Sequence, residues 1–118
     1  MAPEFAFAKL SEFDRDVKEL TKRYRHANED VLAVQRFLSA DLKARLHPAE
    51  VGGFGQRKIW KGRAINQDVQ KGKSSGYRIW WLERPAQYVF IYLYVHADEE
   101  DEHRIRQEVA RRLRVNGY

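Results

Sequence analysis

The 118-residue sequence contains no cysteine. That absence excludes a disulfide framework, a thiol nucleophile and a cysteine-ligated zinc site, and it agrees with a reducing cytoplasm as the expected location. No apolar run approaches the roughly 20 residues of a membrane span. The opening Met1-Ala2-Pro3-Glu4 has neither a basic stretch nor a long apolar one, so no signal peptide is expected. No pair of histidines has metal-ligand spacing, and no metal or cofactor is expected. Internal repeats, linkers and low-complexity segments are also missing, which leaves one domain over residues 1–118.

What is present is globular in character: 43% hydrophobic residues, 13% of all residues aromatic. A chain of this length buries roughly two-thirds of its unfolded surface and folds without a staple. The net charge is +5 and the pI about 9.6. Its distribution is uneven. Between Arg57 and Arg84 stand eight cations against Asp68 and Glu83, whereas Asp98 to Glu102 is five acids in a row. A local basic excess suits an anionic partner or, equally, a solvated sheet edge.

Phe5 to Lys9 reads as a short strand. Ser11 is expected to open a helix, its hydroxyl capping and Asp14 completing a capping box. Phe13, Val17, Leu20 and Tyr24 form its apolar face. A second helix from near Asn28 carries Val31, Val34, Leu38 and Leu42, and His47-Pro48 ends it. The two make a helical hairpin, with His26 and His47 on its surface. Ala49 to Gln56, rich in glycine, reads as a loop. Strands then follow at Lys58–Ile65, Gly76–Glu83 and Tyr88–His96. The last is placed centrally, and Pro85-Ala86-Gln87 joins it to its predecessor as an antiparallel hairpin. The acids at 98–102 suit the start of a helix whose stripe is Ile105, Val109 and Leu113. The expected order is β-α-α-β-β-β-α: an α+β fold in which a small antiparallel sheet carries the helical hairpin as one layer on one face.

The most distinctive stretch is Lys71-Gly72-Lys73-Ser74-Ser75-Gly76-Tyr77-Arg78, a basic, glycine-rich loop feeding the apolar run Ile79-Trp80-Trp81-Leu82. Together with Lys61-Gly62-Arg63 upstream and Tyr94-Val95-His96 downstream, it resembles the RelE/ParE superfamily of bacterial type II toxins, closest to the RelE and HigB-like ribonucleases. The match is tightest from Lys61 to Asp101. The resemblance implies a cytoplasmic toxin held in a heteromer by a cognate antitoxin, entering the ribosomal A site and cutting mRNA without a metal. The ParE branch implies instead a non-enzymatic inhibitor of DNA gyrase. An inactive toxin-like binding domain is the third alternative.

Metal-free RNA cleavage uses the ribose 2′-hydroxyl as nucleophile. The protein then moves two protons and holds the charge that develops on phosphorus. A guanidinium matches that charge in geometry and stays protonated. Arg78 is the leading candidate for this clamp, with Arg63 on the adjacent strand second. Lys71 and Lys73 would grip phosphate or, if crowded by other cations, transfer protons. His96 and His103 are the candidate acid or base, since imidazole titrates near neutrality; His103 falls roughly where RelE toxins carry a tyrosine. Lys58, Lys61, Tyr77 and Tyr94 are candidate RNA contacts, aromatics interleaved with cations suiting stacked bases. Trp60, Trp80 and Trp81 could join them, although Trp80 and Trp81 must face opposite sides of the sheet. The acids at 98–102 would repel RNA and are expected to face away from it.

Overall fold

The computed structural model describes residues 6–39, 43–69 and 76–118. Strand β1 (Ala6–Lys9) leads into helices α1 (Ser11–Thr21) and α2 (Ala27–Ser39). A 3-10 turn at Lys43–Leu46 precedes β2 (Ala49–Val51), β3 (Lys58–Ala64), β4 (Tyr77–Arg84) and β5 (Gln87–Val95). A further 3-10 turn, His96–Asp98, leads to α3 (Glu102–Val115). The fold is α+β. Among the described residues, no helix is long and apolar enough to cross a membrane.

The strands form one five-stranded sheet in the order β1-β5-β4-β3-β2. β4 is therefore the middle strand and β5 lies beside it, one place off the expected centre. Two further departures concern the edges. Ala49–Val51, expected within a loop, pairs antiparallel with β3 as a short outer strand. β1 joins β5 in parallel, which makes the sheet mixed. The β4–β5 hairpin forms as anticipated over Tyr77–Arg84 and Gln87–Val95, with an irregularity between Trp80 and Trp81. At its two-residue turn Ala86 takes φ of 57°, a left-handed conformation better suited to glycine or asparagine.

Helices cover both faces rather than one. On the first face the predicted stripe of α1 packs as expected, Phe13 meeting Phe90 at 5.3 Å between ring centroids. Val31, Val34 and Leu38 of α2 are buried beside it, while Leu42 lies outside the described residues. Tyr24 meets Tyr77 edge-on at 6.1 Å. On the second face α3 buries Ile105, Val109 and Leu113. Ser11 does not cap α1. The cap residue is Leu10, and the Ser11 hydroxyl donates to Glu12 instead. Asp101 does cap α3, accepting from the N–H groups of His103 and Arg104.

The two helical layers are tied around the sheet edge. β1 pairs with β5 only as far as Phe90, so β5 beyond that point has unpaired backbone on one side. There Asp16 of α1 accepts from the Leu93 N–H at 3.0 Å and from both terminal nitrogens of Arg112, at 2.6 and 3.0 Å. Arg112, on α3, also donates to the Ile91 carbonyl at 3.0 Å and lies over the Tyr92 ring. The pair thus satisfies the open strand edge and joins both faces. Burial pushes the Asp16 carboxyl up, and Arg112 and the Leu93 N–H pull against it.

Candidate functional site

Side chains alternate along a strand, so one face of β3, β4 and β5 collects a defined set. Lys61 opposes Trp80, Arg63 opposes Arg78, and Arg78 in turn opposes Tyr94. Arg63, Arg78 and Tyr94 therefore form a row across three strands. With Lys61 and the Gly62 backbone, they line a cleft of about 300 Å³. One wall is His96, Glu99, Glu100, Glu102 and Ile105, from the end of β5 to the start of α3. The other is His47 and Ala49, brought in by β2.

The arginines are the unusual feature. Like charges directly opposite each other on a sheet repel, yet neither Arg63 nor Arg78 makes an ion pair among the described residues. Among the described residues, Arg78 donates only to the neighbouring Tyr77 carbonyl, at 3.4 Å. Burial, and then the charge of Arg63, hold its guanidinium below the usual arginine range. The cleft thus carries two arginines that form no ion pair among the described residues, one of them half-buried. Lys61 differs: it bonds Glu102 at 3.0 Å, and Arg106 approaches the same carboxylate at 3.7 Å.

Tyr94 is 9% exposed, and its hydroxyl oxygen accepts from the Trp80 indole N–H at 3.1 Å. That bond leaves the phenolic proton free to be donated. Burial pushes its pKa up to about 12, so it is a phenol and a hydrogen-bond donor at neutral pH. The backbone N–H of His96 donates to the Gly76 carbonyl, and its half-buried ring has no partner among the described residues. His47 sits at the cleft mouth with φ of 46°, a left-handed backbone just before Pro48.

Gly62 is fixed by packing. A Cβ there would meet the Trp81 ring at 2.9 Å and the Leu46 carbonyl at 3.1 Å. The glycine lets β3 lie against that indole, which sets the height of Lys61 and Arg63 on either side. After β3 the chain is pinned to the start of α2. His26 donates to Asp68 through its backbone N–H at 2.8 Å, and its ring contacts the same carboxylate at 2.6 Å. Gln67 meanwhile donates to Asp30.

Of the candidate residues, Arg63, Arg78, His96, Lys61 and Tyr94 line one cleft. Lys71 and Lys73 lie outside the described residues. Three candidates stand elsewhere. Tyr77 is fully buried against Tyr24 on the opposite face, so it cannot stack on RNA: with Arg78 turned to the cleft, its neighbour must turn away. Lys58 bonds Glu83 at 3.4 Å and lies over the Trp60 ring, away from the cleft. His103 is exposed on the first turn of α3 and does not line the cleft. Trp80 and Trp81 are both buried, which removes them as stacking platforms.

One contribution adds to the sequence-based expectation and one runs against it. His47 is exposed, in keeping with its surface reading, and it also lines the cleft, because β2 folds back onto β3. The acidic stretch, expected to face away, supplies Glu99, Glu100 and Glu102 to the wall. Neither had a local signal; both follow from tertiary placement. Among the described residues no group of three histidine, aspartate or glutamate side chains is placed to hold a metal ion. No family model matches the chain, and neither a curated protein nor a solved structure does.

Proposed function

We propose that the chain is a type II toxin of the RelE/HigB-like kind, an endoribonuclease that cuts mRNA through its own 2′-hydroxyl. The observation that carries this reading is the cross-strand pair Arg63 and Arg78, two cations facing one cleft without ion-paired carboxylates among the described residues. A pair tolerated against its own repulsion needs an anion, and a phosphodiester passing to a pentacoordinate phosphorane supplies one whose charge grows during reaction. The two guanidiniums take the non-bridging oxygens, and Tyr94 donates its phenolic proton to one of them as a hydrogen bond.

The 2′-oxygen attacks phosphorus and the bond to the 5′-oxygen breaks. A 2′,3′-cyclic phosphate and a 5′-hydroxyl end result. One proton leaves the 2′-hydroxyl and one reaches the departing 5′-oxygen. His96 and His47 are the two imidazoles lining the cleft, one on each wall, and imidazole is suited to both transfers. Expected partners are an antitoxin and the ribosomal A site.

The test is induction of the chain in a bacterium with mapping of mRNA 5′ ends. Codon-phased cuts are expected, and Arg78→Ala should reduce cleavage on the order of a hundredfold or more. Absence of new ends in cells arrested by the chain would refute the nuclease. One observation favours a second reading: the carboxylates of the wall repel a nucleic-acid backbone, which suits a ParE-like gyrase binder better. Inhibition of supercoiling by purified protein, with no mRNA cuts, would establish that reading instead.

A further inference from the structure

The cleft holds opposite charges that do not meet. Arg63 and Arg78 line its floor, and Glu99 and Glu100 line its wall. No arginine–carboxylate bond joins the two groups among the described residues. Glu102 is taken by Lys61, and Glu99 offers one oxygen to the Asp101 N–H at 3.2 Å. Glu100 has no partner among the described residues, and the second oxygen of Glu99 is likewise free. Cations and carboxylates that share about 300 Å³ without pairing leave room between them for a small ligand, at the lower end of the usual range of pocket sizes. Such a ligand has to be dipolar: an anion at one end, hydrogen-bond donors at the other.

We propose that this cleft selects a nucleotide whose base carries an exocyclic amino group and rejects uracil. The inference rests on the nuclease reading above. With the phosphate on Arg63 and Arg78, the base edge turns to Glu100 and Glu99. A carboxylate only accepts hydrogen bonds. Guanine offers it two adjacent donors, N1–H and the 2-amino group. Cytosine and adenine each offer one amino group on the same edge. Uracil offers a single N3–H between two carbonyl oxygens, which the carboxylate repels. Single-stranded bases are read in this way on their Watson–Crick edges. The acidic wall thereby acquires a role that a cleft for phosphate alone would not give it.

The experiment titrates the full chain with 3′-GMP, 3′-CMP, 3′-AMP, 3′-UMP and inorganic phosphate, followed by amide chemical shifts. The expected order is guanine first, cytosine and adenine between, uracil last. The gap between GMP and UMP should be roughly tenfold or more, the scale of one good bidentate contact. In the Glu99→Gln/Glu100→Gln variant, phosphate and UMP should bind as before or more tightly, and the preference for GMP should fall at least severalfold. Equal binding of all four nucleotides with phosphate still bound overturns the base selection and leaves the phosphate clamp standing. No binding of any nucleotide or of phosphate overturns both. A preference for GMP that survives intact in the folded double variant assigns base selection to other residues and overturns the proposal.

Discussion

Replacing Asp16 tests how the two helical layers are held together. Asp16→Ala leaves the Arg112 guanidinium, 8% exposed, without its bidentate partner and removes the acceptor of the Leu93 N–H. Breaking one side of a buried ion pair costs about 3–5 kcal/mol. The lower end applies here, because Glu108 stays bonded to Arg112 at 3.0 Å and keeps part of the counter-charge. The orphaned N–H adds about 1 kcal/mol, for a total near 4 kcal/mol. Asp16→Asn should cost less, about 2–3 kcal/mol, since an amide oxygen can still accept from Leu93. The decisive measurement is a double-mutant cycle by urea unfolding with Arg112→Ala as the second arm. A coupling of at least about 2 kcal/mol is expected. The paired apolar change Asp16→Leu/Arg112→Met should be less harmful than Asp16→Ala alone, because it leaves no charge buried without a partner. Single-mutant losses that add to within about 0.5 kcal/mol would refute the idea that this pair joins the two faces.

Three other outcomes follow from local geometry. Gly62→Ala drives a methyl into the Trp81 ring and the Leu46 carbonyl, so it should destabilise by about 1–3 kcal/mol and weaken phosphate binding as β3 shifts. Chemical unfolding with a phosphate titration checks both. Ala86→Gly relieves a left-handed alanine in the β4–β5 turn, and after the added entropy of the unfolded chain a net gain of about 0.5–1 kcal/mol should appear as a raised urea midpoint. The third concerns pH. Tyr94 binds its proton more tightly when folded, with a pKa pushed up to about 12 against 10.0 for the free side chain. Its contribution to stability is therefore complete below pH 10 and declines as pH rises toward 12. Tyr94→Phe should make that alkaline decline shallower in unfolding midpoints measured across the range.

Much of the fold was legible because it rests on periodicity. Phe13, Val17 and Leu20 at helical spacing, and the run of β-branched and aromatic residues in β5, specify their elements without knowledge of neighbours. β2 has no local signature, because three residues are too few to show a period and its partner, β3, is what makes it a strand. The parallel placement of β1 depends on a pairing between distant parts of the chain, which no window of sequence contains. The site divides along the same line. Arg63 and Arg78 were recognisable as cations at corresponding places on successive strands, whereas their direct opposition depends on register. Tyr77 could have been excluded from the sequence alone: if Arg78 faces a ligand, strand alternation turns its neighbour inward. His47 and the glutamates could not have been placed, because their positions are set by how β2 and α3 pack.

The parallel pairing of Ala6 with Gln87 also governs the order in which the molecule can be completed. As the polypeptide emerges from its synthesis, the first strand has no strand to pair with until Gln87 to Phe90, the opening of β5, has followed it. Until then its apolar side, including Phe7, has no sheet to cover it. The α1–α2 hairpin can close early, since its contacts are local, but its apolar surface must wait for the same event. A nascent chain stalled before residue 87 would therefore be a helical hairpin without a floor, prone to capture by chaperones or by other copies of itself.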